Sequence, residues 1–381
     1  MIGRLPRCLP AVCRFTACCF ALSILSAARG TEPLSPERID TIIEALSRLG
    51  PEKVEANPKL KEALANVLEA TRGTPQFVEL VREFKIKDQD AALVEVAVRN
   101  SNSGAGADAA RLLLENKAYD LIKSALNGTN ATKFAEALGN TADRQAVPLL
   151  EPIVGDSGRD AALRRQAVRS LALTQEGATA LLKLATESRL PDDLKLTAAT
   201  ELHNVRWAEL KAQAEQVLPP PQSRNAESLP PVSELVKRTG DANRGAAVFR
   251  RDTVGCVRCH QINGEGVDFG PNLSEIGTKL GKDAIYESIL DPSAGISFGY
   301  EAWQIELQNG DEVFGLIASE TADEVAVKIQ TGVVNRYKKS DVVKREKQKL
   351  SIMPAGLQQT MSTQDLVDLV EYLSLLKKAV Q

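Results

Sequence analysis

Aromatic side chains are scarce in this chain, only 4% of 381 residues, and histidine occurs twice, methionine three times and cysteine six times. With so few large rings and so much Ala and Leu, packed helices are favoured over large sheets. A dominant sign of charge is also missing: 47 Lys and Arg stand against 50 Asp and Glu, a formal net charge of −3. No whole-molecule field therefore argues for nucleic acid or for a strongly acidic substrate. The sequence carries no catalytic triad, paired-carboxylate site, phosphate loop or metal-helix motif. The length still allows two or three domains, each able to bury a core without disulfide help.

The N-terminal apolar run, FTACCFALSILSAA, follows Arg4, Arg7 and Arg14 and falls short of the roughly 20 residues a spanning helix needs. It reads as a signal peptide over residues 1–30, with the mature chain starting near Thr31 and a periplasmic or otherwise exported location. A retained N-terminal anchor is the rival reading. Cys8, Cys13, Cys18 and Cys19 leave with the signal, so the mature protein keeps only Cys256 and Cys259. An exported chain with one remaining pair has no disulfide framework, and the pair has another purpose.

From Ser35 to about Leu218 apolar positions recur at helical spacing. Two stretches resemble each other, AVPLLEPIVGDSGRDAALRRQAVRSLAL and GATALLKLATESRLPDDLKLTAATELHN, each a helix, a polar turn and a second helix. The offset of roughly 31 residues lies in the range of solenoid repeats. Residues 31–218 are therefore expected to form an α-solenoid that resembles HEAT repeats. PPPQSRNAESLPP, residues 219–231, cannot continue a helix and reads as a stiff linker. Residues 232–381 follow as a second domain, in which Asp241 caps a helix from Ala242 to about Arg251. Between about 300 and 349 the period becomes alternating, with Asn309-Gly310 as a hairpin turn. A small β-module of four or five strands is expected there, before a last helix in TQDLVDLVEYLSLLKK.

The chemistry concentrates in CVRCH, residues 256–260. Cys256 and Cys259 stand three apart with His260 next, so one helical turn presents all three on one face. That is the c-type haem attachment signature: two thiols add to the haem vinyl groups while the imidazole reaches the iron. A thioredoxin-like redox pair lacks its βαβ setting here, and a tetrahedral zinc lacks a fourth ligand. The sixth iron ligand is sought among His203, Met353 and Met361. His203 lies beyond the linker, and Met361 precedes a capping box at Ser362–Asp365. Met353, in the extended SIMPAG segment before Pro354, is the preferred candidate. Pro271, in GPNL, offers a carbonyl that can orient His260. Tyr300 and Trp303 are further candidates for the haem edge, and the basic run RYKKSDVVKREKQK suits either a lysine-guarded strand edge or an acidic partner.

From about Gly240 onward the chain resembles a class I cytochrome c domain, through CVRCH, GPNL, the MPA segment and LVDLVEYL. More narrowly it is similar to the haem-binding domain of planctomycetes and verrucomicrobia, through GPNLSEIG, ILDPSAGISFGYEAW and SIMPAGL. The resemblance implies one covalent haem c, Cys256 and Cys259 as thioether anchors, His260 and Met353 as axial ligands, and Pro271 as the orienting carbonyl. The expected fold is mainly α: a HEAT-like solenoid, then a cytochrome c helical domain with an inserted β-module. The expected function is one-electron transfer with redox partner proteins, the solenoid serving as a docking surface, with no nucleic acid and with room for peripheral membrane association. A peroxidase-like enzyme with a vacatable distal site and a redox-sensing scaffold are the alternatives.

Overall fold

The computed structural model describes residues 35–219 and 228–378. The expected signal peptide, and all but the ends of the expected linker, lie outside these residues. The chain is mostly helical, with one small antiparallel sheet near the C-terminus. Contacts divide it into two compact units that meet between Leu93 and Val94, and each is described by itself. Among the described residues no helix is long and apolar enough to cross a membrane.

The first unit holds α1 (Pro36–Leu49), α2 (Pro51–Glu55), α3 (Pro58–Ala70) and α4 (Pro75–Glu83). Each opens on a proline, whose fixed φ suits the first turn and whose missing N–H has no partner to lose there. Leu46 and Val67, and likewise Phe77 and Leu80, are buried. The helix α5 (Asp90–Arg99) spans the division.

The second unit begins with α6 (Gly104–Glu115), α7 (Tyr119–Leu126), α8 (Ala131–Asn140), α9 (Val147–Gly155), α10 (Ala161–Leu171), α11 (Gln175–Thr186), α12 (Asp192–His203) and α13 (Ala208–Val217). Helices α6, α8, α10 and α12 pack in turn as one row, while α9, α11 and α13 form a second. The rows bury largely apolar faces, including Leu113, Phe134, Leu138, Val168, Leu181 and Leu194.

Four helices follow: α14 (Val232–Leu235), α15 (Ala242–Arg250), α16 (Ile276–Lys279) and α17 (Lys282–Leu290). The Asp241 carboxylate caps α15, accepting from Asn243 N at 2.9 Å and Arg244 N at 3.0 Å, which satisfies two donors that have no carbonyl within the helix. The last helix, α18 (Thr363–Leu375), starts from a capping box in which Ser362 and Asp365 exchange side-chain and backbone hydrogen bonds. Helices α15 and α18 cross at contact distance, and a β-carbon on Gly245 would lie 2.0 Å from the Asp368 carbonyl oxygen. Phe249 and Tyr372 meet at the same crossing with ring centroids 6.3 Å apart. Two ion pairs tie the crossing further: Arg251 to both Asp365 oxygens at 3.1 and 2.9 Å, and Arg244 to the buried Asp368 at 2.6 Å.

Between α17 and α18 five strands form the sheet: β1 (Ala302–Leu307), β2 (Glu312–Glu320), β3 (Glu324–Lys328), β4 (Val334–Lys338) and β5 (Val342–Lys347). Their spatial order is β4-β3-β2-β1-β5, all antiparallel. The basic run supplies both edges, because a turn at Lys339–Asp341 splits it into β4 and β5 and β5 pairs with β1 instead of its sequence neighbour. Lysines on such edges oppose pairing with another chain.

The sheet lies against the helical rows. The Asn335 amide donates to the Asn140 carbonyl at 2.9 Å, both side chains being buried. Arg206 bonds Glu312 at 2.8 Å and stacks over the Trp207 and Phe314 rings, its guanidinium carbon 4.6 and 5.1 Å from their centroids. Burial pushes this guanidinium down to about 10, against the pull of Glu312.

Candidate functional site

A cavity of about 470 Å³ opens beside the CVRCH segment, within the range that holds ligands of cofactor size, ~300–1,000 Å³. Cys256, Cys259, His260, Pro271 and Met353 all line it, amid an apolar wall that includes Leu273, Ile276, Ile285, Leu357 and Leu373.

Local folding explains how the motif faces this space. Residues Cys256–Arg258 form a single 3-10 turn, preceded by Gly255 in the left-handed region. The turn is tighter than the expected helical one, and the Cys256 carbonyl accepts from both Cys259 N at 3.1 Å and His260 N at 2.9 Å. The two sulfurs and the imidazole are thus held on one short arc. Both cysteines are free. Burial first, then repulsion from Cys259, pushes the Cys256 thiol up to about 12. Burial likewise raises Cys259 to about 11, although Arg258 pulls in the other direction. Both thiols are therefore protonated near neutrality, the opposite of the lowered thiolate that a thioredoxin-like pair requires.

His260 Nδ1 lies 2.7 Å from the Pro271 oxygen. A carbonyl can only accept, so the proton sits on Nδ1 and the Nε2 lone pair is left available. Burial lowers the imidazole pKa, opposed by the bond to Pro271, so the ring is neutral, the form that binds a metal. The loop is pinned behind it: Phe269 N and Gly270 N both donate to the Cys259 carbonyl. A β-carbon on Gly270 would stand 2.6 Å from the imidazole Cε1, so only glycine leaves the ring its place.

The structure separates the three candidates for a sixth ligand. Met353 lines the cavity and packs half-buried against the core beside it. Met361 is fully buried in that core and off the wall. His203 is also off the wall, with Nε2 2.8 Å from the Leu218 carbonyl. Tyr300 lines the cavity, whereas Trp303 lies under the Arg345 guanidinium, 4.4 Å from carbon to centroid. Among the described residues no group of three or more His, Cys, Asp or Glu could hold a metal ion, so no tetrahedral zinc site forms around the pair.

Residues 242–306 match the cytochrome c family model. The C-terminal region thus contains a cytochrome c-type domain, which implies covalently bound haem c and an electron-carrier role, in a family typically exported. The match starts at the first residue of α15 and ends inside β1. The remaining strands, Met353 and α18 lie beyond it. No curated protein matches the chain.

The residues present fit such a group. Two unpaired protonated thiols, an imidazole with a free Nε2, a thioether and an apolar wall share one cavity. Three contributors to the cavity have no sequence signal: Asn204, just after α12, Leu316 in β2, and Gln330, just after β3, all reach the wall. They come from the helical rows and the sheet, and the cavity is closed by parts of the chain well outside the motif.

Proposed function

We propose that this protein is an exported monohaem c-type cytochrome that passes single electrons between partner proteins. One observation carries the reading: both thiols, His260 with its free Nε2 and Met353 line the same apolar cavity. Bound haem c supplies a one-electron couple between iron(II) and iron(III). Cys256 and Cys259 would hold it through thioethers, each S–H adding across a vinyl double bond. His260, oriented by the Pro271 carbonyl, and Met353 would ligate its iron, and a methionine ligand would raise the potential.

The two helical rows serve as a HEAT-like solenoid for partner docking. Stacked helix pairs present a continuous face of this kind, and the paired repeats at residues 146–204 support that assignment. Redox proteins are the expected partners, with peripheral membrane association left open.

The test is expression of the full chain in a host that matures c-type haem, followed by denaturation and solvent extraction. The pigment is expected to stay on the peptide containing Cys256 and Cys259, adding one haem mass. Extractable pigment, or no added mass, overturns the reading. Reduced protein is then exposed to carbon monoxide: slow or absent binding supports Met353 ligation, and rapid binding favours a vacatable, peroxidase-like site.

A further inference from the structure

Among the residues lining the cavity, Arg258 is the only Lys or Arg. It stands between the two cysteines, so its charge is fixed beside the sulfur arc. Its Nη2 lies 2.5 and 2.6 Å from the two oxygens of Glu201, a carboxylate on α12 of the helical rows, and Glu201 is only 9% exposed. A second cation, Arg169 on α10, has Nε 3.8 Å from the same carboxylate.

Helix stability does not account for Glu201. It occupies the last turn of α12, where the helix macrodipole disfavours negative charge, and burying a carboxylate costs several kcal/mol unless it is paired. Arg258, with Arg169 further off, is what makes the position tenable. Asn204, three residues further on, lines the same cavity, so this end of α12 abuts the site itself.

We propose that Glu201 is a positioning residue that holds Arg258 and sets the reduction potential of the haem from a helix outside the cytochrome c match; this rests on the haem c reading above. The sign follows from charge. Reduction adds one electron at the iron, so an uncompensated guanidinium on the cavity wall favours the reduced state. Glu201 cancels that positive charge. At low local dielectric the cancellation is felt more strongly than in water.

The experiment is spectroelectrochemical titration of the full-length holoprotein and four variants, each first checked for covalent haem by peptide mass. Glu201→Gln removes the carboxylate that Arg258 bonds and is expected to shift the reduction equilibrium about tenfold toward the reduced form, ~59 mV upward for one electron. Arg258→Gln leaves Glu201 with only the more distant Arg169, 3.8 Å away, and shifts it downward. Glu201→Gln with Arg258→Gln returns the potential close to that of the parent, and Arg258→Lys, which keeps the charge, stays near it as well. Opposite single shifts that cancel in the double variant support the proposal. A merely structural role predicts shifts of one sign that add, and that result overturns it, as do unshifted potentials in variants that carry haem. Lack of covalent haem in the parent protein overturns the haem reading itself, which separates the two failures.

Discussion

His260 Nδ1 sits 2.7 Å from the Pro271 carbonyl oxygen, and Gly270 closes against the same ring at a distance that no β-carbon tolerates. The orienting bond and the close approach lie on adjacent residues, so moving one disturbs the other. Gly270→Ala must push the imidazole or the loop aside. Partners that orient a ligating histidine are commonly worth 10–100-fold in metal affinity or activity. The expected outcome is haem still attached through Cys256 and Cys259 but with weakened histidine ligation, seen as a changed visible spectrum and faster binding of added imidazole. A spectrum identical to the parent's would show that the ring does not depend on this approach.

Met353 and Met361 are expected to fail in different ways when truncated. Met361 is fully buried in the core, so Met361→Ala costs about 2–5 kcal/mol of stability through the cavity it leaves, with ligation unchanged. Met353→Ala is expected to lower the potential and admit carbon monoxide to the reduced protein, with a smaller loss of stability. Denaturant unfolding beside carbon monoxide binding separates the two. Carbon monoxide binding gained in Met361→Ala and not in Met353→Ala would exchange their roles.

What could be read from the sequence was what is local. The Asp241 cap, the Ser362–Asp365 capping box and the Asn309-Gly310 turn each depend on residues within a few positions of one another, and each is found where the pattern puts it. The motif likewise names its own chemistry, because two thiols and an imidazole must be close in sequence to share one turn. Pairings that depend on distant residues leave no such trace. The attachment of β5 to β1, the Asn335–Asn140 bond across 195 residues and the Glu201–Arg258 pair across 57 are results of packing. Glu201 in ELHN looks like any solvated glutamate on a helix. Only the fold buries it and sets it against the motif.

Acid is expected to loosen the crossing of α15 and α18 through Asp365. Hydrogen bonds from Arg251, with help from Ser362, hold this carboxyl down at about 2, below the roughly 3.9 of an unfolded aspartate. A depressed folded pKa contributes stability that is fully present above the unfolded value and is lost as pH falls through the folded one. Asp368 shifts in the same direction: burial would raise its pKa, but bonds from Arg244, the Asp241 amide and Gln364 lower it overall. Stability measured by denaturant between pH 5 and about 2 should therefore decline, and Asp365→Asn should flatten part of that slope. An unchanged slope in the variant would remove Asp365 from the account.

Gly245→Ala tests the crossing itself, through the sign of its effect. In an ordinary helix interior, replacing glycine by alanine stabilises by roughly 0.5–1 kcal/mol, since the backbone of glycine has more freedom to lose. Here the added β-carbon would meet the Asp368 carbonyl oxygen at 2.0 Å and the Tyr372 β-carbon at 2.7 Å, atoms that belong to the opposing helix and cannot swing away. Forcing volume into such a contact typically costs about 1–3 kcal/mol, which outweighs the propensity gain. The expected result is a lower urea midpoint at unchanged slope, with the strained helix pair shifting the Phe249–Tyr372 contact. Because α18 also supplies Leu373 to the cavity wall, the same variant should hold haem less tightly enclosed, measurable as faster carbon monoxide binding. A midpoint that rises would mean that the helices do not approach as closely as Gly245 permits.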